Sequence, residues 1–123
     1  MLTTAVLLDT GAIINLISEK FIPRAWRSSM QPYKGRGVKT ANKLKLDVQG
    51  VIRLKVIIGD LRVNVWFGVS KTVAERVILG TPFYYRFIRG CFPNEKKIVP
   101  KDSRPVPILT EDRESSLANV LEC

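Results

Sequence analysis

The stretch AVLLDTGAIINLIS, residues 5–18, sets a carboxylate between two apolar runs, and how Asp9 is read decides the fold. The flanking segments TTAVLL (3–8) and IINLIS (13–18) are short, apolar and rich in strand formers, so each predicts a buried strand. Asp9-Thr10-Gly11-Ala12 must then turn the chain, with Gly11 free to adopt a backbone angle that other residues resist. Two roles are open to Asp9 at such a bend. It can cap the amides of the turn, or it can present a carboxylate for chemistry.

Composition narrows the chemistry. The chain of 123 residues contains no histidine, which rules out Ser-His-Asp and Cys-His nucleophile systems and removes the commonest zinc ligand. Proton transfer would fall to carboxylates, lysine or tyrosine, and neither metal nor cofactor is expected. Two cysteines, Cys91 and Cys123, allow one bridge at most and fit a reducing compartment; without a histidine to activate it, Cys91 reads as an idle thiol. No apolar run is long enough to cross a bilayer, and Met1-Leu2-Thr3-Thr4 lacks the basic start of a secretory signal, so no membrane partner and an intracellular location are expected. Residues 1–100 carry 17 Lys/Arg against 6 Asp/Glu, a net of +11, whereas 101–123 carry 3 against 5, a net of −2. Such a basic body either attracts nucleic acid or an acidic partner, or simply keeps a β-rich protein solvated.

Farther along, Ser18–Ile22 predicts one helical turn stopped by Pro23, and 24–37 (RAWRSSMQPYKGRG) a polar loop. VKTANKLKLDV (38–48) predicts a hairpin, with Leu44, Leu46 and Val48 on one face. VIRLKVII (51–58) and LRVNVWFGV (61–69) flank Gly59-Asp60 and predict a second, stronger hairpin. VILG (77–80) predicts a strand, and TPFYYRFI (81–88) a short helix with Thr81 as N-cap and Pro82 at the first helical position. Past Gly90, prolines dominate: Lys97-Ile98-Val99 is a brief strand candidate, and 101–123 reads as an extended tail with a few helical residues near 113–121.

A strand that delivers Asp9 into a Thr-Gly turn is suited to hold one of two carboxylates around a water, one acid neutral and one ionised, because two like charges in contact do not both ionise cheaply. General base and general acid then come from one residue type. LLDTGA followed by IINLIS, TANKLKLDVQG, RVNVWFGV and VILGTPF resembles the retropepsin-type aspartic protease domain, most of all those of gypsy-type LTR retrotransposons and plant pararetroviruses. The resemblance covers about residues 3–92. Asp-Thr-Gly alone recurs by chance, but the preceding strand, the intervening hairpin and an apolar-apolar-Gly element 71 positions after Asp9 make the pattern specific.

The resemblance implies an all-β, retropepsin-like closed barrel with one short C-terminal helix and a flap hairpin. It would divide the chain into a protease domain at 1–92, a terminal strand at 93–100 and a Pro-rich tail or linker at 101–123. It implies Asp9 as the catalytic carboxylate, Thr10 as the hydroxyl that locks two active-site loops together, and Gly11 as a backbone acceptor for substrate. Ala12 and Ile13 would border the substrate; Ile13 stands where the family usually carries Ser or Asp. Ala41, Asn42 and Lys43 would form the tip of the flap, and Ile78 would lie near a side-chain pocket, with 77–80 behind the active-site loop. Asp47, Asp60, Asp102 and Asp112 lack the following Thr/Ser-Gly, so each chain holds one half-site. The resemblance therefore implies a symmetric homodimer, an endopeptidase that cuts a viral or retrotransposon polyprotein inside a virus-like particle or the cytoplasm. Two rivals stay open: a basic barrel that binds single-stranded nucleic acid through the cations and aromatics, and a catalytically inactive dimerisation or peptide-binding module of the same fold.

Overall fold

Alternating burial marks the first strand. In the computed structural model, which describes residues 2–33, 38–39, 45–46, 48–108 and 115–122, β1 (Leu2–Leu8) turns Thr4, Val6 and Leu8 inward. After the Asp9 turn, β2 (Leu16–Ser18) is wholly buried but shorter than the strand predicted over 13–18, because Ile13 stays exposed and the chain is still turning at Ile14. One 3-10 turn covers Glu19–Phe21, as the sequence suggests. A second, Arg24–Ser29, replaces the predicted loop: Trp26 is buried in the core and anchors a segment whose other residues, Ala25 apart, are polar.

Strands β3 (Val38–Lys39) and β4 (Lys45–Leu46) pair antiparallel as the sequence suggests; Ala41, Asn42 and Lys43, expected at a flap tip, lie outside the described residues. The long hairpin follows. β5 (Val48–Ile58) buries Ile52, Leu54, Val56 and Ile58, and β6 (Leu61–Ser70) buries Val65, Phe67 and Val69, so both show the two-residue period of strands with one dry face. Their turn is Gly59-Asp60, with Gly59 at φ 58° in the position that type II′ hairpins reserve for glycine. Asp60 then meets Arg104 through two bonds, Nε to Oδ2 at 2.8 Å and Nη2 to Oδ1 at 2.9 Å.

β7 (Val77–Leu79) leads into α1 (Thr81–Phe87), whose N-cap is Gly80; Thr81, the predicted cap, sits inside the first turn and turns its hydroxyl elsewhere. β8 (Ile88–Phe92), β9 (Lys97–Pro100) and β10 (Val106–Pro107) form a separate three-stranded sheet in the order β10-β9-β8. The predicted strand at 97–99 is thus one of three, and it pairs with 88–92.

The largest correction concerns the tail. Ser115–Glu122 is neither helical nor a linker: it is β11, antiparallel to β1 from Leu2↔Val120 to Leu7↔Ser115 and to β5 from Asn119↔Ile57 to Glu122↔Leu54. Without it β1 and β5 would each present a bare row of backbone donors and acceptors, and pairing satisfies both while burying Ala118 and Val120. Six strands then close a barrel in the order β1-β11-β5-β6-β2-β7, with β7 parallel to β1. The protein is an all-β closed barrel with one short α-helix among the described residues. Val6, Ile17, Leu54, Val56, Phe67 and Leu79 fill the core, each worth about 1.5–3 kcal/mol relative to exposure. No described helix is long and apolar enough to cross a membrane.

Candidate functional site

Asp9 leaves β1 with its backbone already committed. Its N–H donates to the Leu79 carbonyl at 2.9 Å, so β7 fixes where the turn begins. Its carbonyl accepts from the Ala12 amide at 3.1 Å, and its carboxylate Oδ1 accepts from the Gly11 amide at 2.8 Å. The turn is therefore tied to the acid's own side chain, the capping role one reading gives it. One oxygen serves the cap; Oδ2 has no hydrogen-bond partner among the described residues. Asp9 is half-buried, while Thr10 and Gly11 are exposed at the bend. Gly11 does not use the left-handed angle expected of it: among the described residues the only glycine with positive φ is Gly59.

The turn is held from behind by 77–80. Thr81 donates both its amide (2.9 Å) and its hydroxyl (3.2 Å) to the Ala12 carbonyl. Asn15, 7% exposed, accepts the Gly80 amide on its side-chain Oδ1 at 2.8 Å, accepts the Gly68 amide on its backbone oxygen at 2.8 Å, and points Nδ2 at the Trp66 carbonyl at 3.4 Å. Asn15 thus joins the Asp9 loop, the end of β7 and β6. Gly80 can approach so closely only because it lacks a side chain: a Cβ there would lie 2.5 Å from the Ala12 oxygen and 2.7 Å from the Ile14 oxygen. Its φ of −89° is open to any residue, so space, not conformation, demands glycine.

Two of the predicted substrate residues come together. Ala12 and Ile78 join Leu16 in a small buried apolar cluster, distinct from the barrel core, against which Leu7, Ile14, Val48 and Val73 pack. Alternation explains it: on β7, Val77 and Leu79 enter the barrel and Ile78 faces the loop. Ile13 is not part of this cluster and is 65% exposed. The other acids with described partners lie in separate pairs, Asp60 with Arg104, Glu19 with Arg27 and Glu95 with Lys97. Among the described residues no cluster of three or more His, Cys, Asp or Glu could hold a metal ion.

Sequence reasoning missed Asn15. The available signal was a lone amide inside the apolar run AIINLI, since a polar side chain in a buried segment needs partners. The arrangement amounts to one presented carboxylate at an exposed Thr-Gly bend, beside an apolar cluster, on a loop locked from three sides. No protein-family model matches the chain, and no curated protein sequence matches it.

Proposed function

We propose that the chain is an aspartic endopeptidase that acts as a symmetric homodimer and processes a viral or retrotransposon polyprotein. The observation that carries this reading is Asp9 at an exposed Thr-Gly bend, buttressed by Gly80 and Asn15, in a histidine-free chain with one such half-site. In the proposed dimer the two Asp9 carboxylates meet on the two-fold axis and share a water. The ionised one takes the water's proton as hydroxide attacks the scissile carbonyl, and the neutral one donates to the carbonyl oxygen. The proton then passes to the leaving amine as the C–N bond breaks.

An extended peptide would lie across the bend, hydrogen-bonded by backbone and sending alternate side chains into pockets such as the one beside Ala12 and Ile78. The β3–β4 hairpin would close over it as the flap and exclude water. Exposed Ile13, unable to accept or donate a hydrogen bond, would favour apolar groups at its subsite. It also supports a second reading, a peptide-binding module of the same fold that holds peptide without cutting it.

The test is cleavage of a precursor or peptide library by the wild-type protein and by Asp9→Asn, with both melts recorded. Cleavage that disappears with Asp9→Asn while the fold persists supports the protease. Undiminished cleavage by Asp9→Asn would sink it, and peptide binding without cleavage by the wild type would leave the silent module.

A further inference from the structure

The face of β5 and β6 that points away from the core carries cations and an exposed indole that the protease reading does not use, and beside them lies a groove that Asn15 of the Asp9 loop also lines. We infer that this face binds single-stranded nucleic acid. Because Leu54, Val56, Val65 and Phe67 go inward, strand alternation sends Arg53, Lys55, Arg62, Asn64 and Trp66 outward, and all five are exposed. The register sets Arg53 opposite Trp66, Lys55 opposite Asn64 and Ile57 opposite Arg62. Directly paired side chains stand about 4.5–5.5 Å apart at Cβ, so cations and indole form one continuous surface.

Trp66 is 47% exposed, whereas Trp26 is buried in the core. Beside Trp66 the edge of β6 and helix α1 enclose an open groove of about 310 Å³, lined by Trp66, Asn64 and Arg86 together with apolar Val65, Pro82 and Phe83. Asp60, the acid that acts on Arg62, is itself held by Arg104. One cation, Arg86, thus borders an apolar slot with an aromatic wall and an amide that can both donate and accept, while Arg53, Lys55 and Arg62 stand on the β5–β6 face that carries Trp66. The partner this fits has phosphates for Arg53, Lys55, Arg62 and Arg86 and an unpaired base for Trp66. Paired strands hide the base faces that the indole and groove would take.

The inference does not rest on the protease reading. It is tested by fluorescence anisotropy with a short labelled oligouridylate, titrated at NaCl concentrations from about 50 to 200 mM. With three or four phosphates neutralised, log K should fall with log salt at a slope of about −2 to −3. Trp66→Ala should weaken binding roughly tenfold without changing that slope, Trp66→Phe should restore most of the loss, and Arg53→Gln with Lys55→Gln should flatten the slope by about 1.4. Asp9→Asn, and Lys20→Gln with Lys71→Gln around a different surface pocket, should bind as wild type. The inference is overturned if Trp66→Ala binds normally, if the Lys20 and Lys71 changes weaken binding as much as those at Arg53 and Lys55, or if duplex, heparin or anionic vesicles bind as tightly. It is equally overturned if Trp66→Ala alters only self-association.

Discussion

Gly80→Ala tests the lock behind the Asp9 loop. Real Cβ atoms essentially never come within 3.0 Å of another heavy atom, so a methyl placed 2.5 Å from the Ala12 oxygen and 2.7 Å from the Ile14 oxygen must be relieved by shifts of at least 0.5 and 0.3 Å. Both obstacles are backbone atoms of the loop, and no flexible side-chain end can swing aside. The displacement pulls on the Gly80 N–Asn15 Oδ1 bond (2.8 Å) and the Thr81 N–Ala12 O bond (2.9 Å). Overpacking costs about 1–3 kcal/mol, and a buried polar group left unpaired about 1–3 more. Gly80→Ala should therefore destabilise by about 2–6 kcal/mol, a large share of the roughly 5–15 kcal/mol typical of a folded domain. Urea titration measures this, with the slope checked to keep unfolding two-state. Backbone angles alone predict the opposite sign, a gain of about 0.4–1 kcal/mol from a less flexible unfolded chain. A neutral or stabilising Gly80→Ala would refute the close-approach reasoning.

Asn15→Ala strips the Gly80 amide of its acceptor and should cost about 1–3 kcal/mol in the same titration; a change under about 0.5 kcal/mol would show that the amide finds another partner. The Arg104 hydrogen bonds hold the Asp60 carboxyl below the usual carboxylate range. Their contribution is therefore complete above pH about 4 and lost as pH falls through the depressed folded-state value. Asp60→Asn should thus melt below wild type near neutral pH by a margin that shrinks in acid and in high salt; a margin that widens in acid would contradict the sign. A chain ending at Ile108 lacks β11 and bares the edges of both β1 and β5, so it should lose the cooperative unfolding transition seen by circular dichroism. A sharp melt close to wild type would mean that β11 is not needed to close the barrel.

Local pattern carried much of this fold. β5 and β6 alternate so regularly around Gly59-Asp60 that their boundaries fall within a few residues of those read from sequence, and the Asp9 turn follows from its apolar flanks, though not through the left-handed angle expected of Gly11. β11 was hidden because its pairing is remote: Val120 meets Leu2, and SSLANVLE has a composition that suits a helix until two open strand edges compete for it. Arg24–Ser29 was hidden because one residue, Trp26, does the anchoring, and hydrophilic neighbours mask it. At the site, the bend and VILG were legible as pieces, whereas the Asn15 bond to Gly80 joins positions 65 residues apart. Thr81 reads as an N-cap by residue type, but the Ala12 carbonyl beside it takes its hydroxyl and leaves Gly80 at the cap.

The central claim, that Asp9 is half of a catalytic site, is tested most directly by mixing. Wild-type and Asp9→Asn chains are unfolded together in equal amounts, refolded, and assayed for peptide cleavage at fixed total protein. If activity requires two Asp9 carboxylates on a two-fold axis, random pairing leaves about a quarter of the dimers competent, and cleavage should drop to about a quarter of the wild-type rate. A drop to one half, with activity linear in the wild-type fraction, would mean that each chain acts alone and would contradict the shared site.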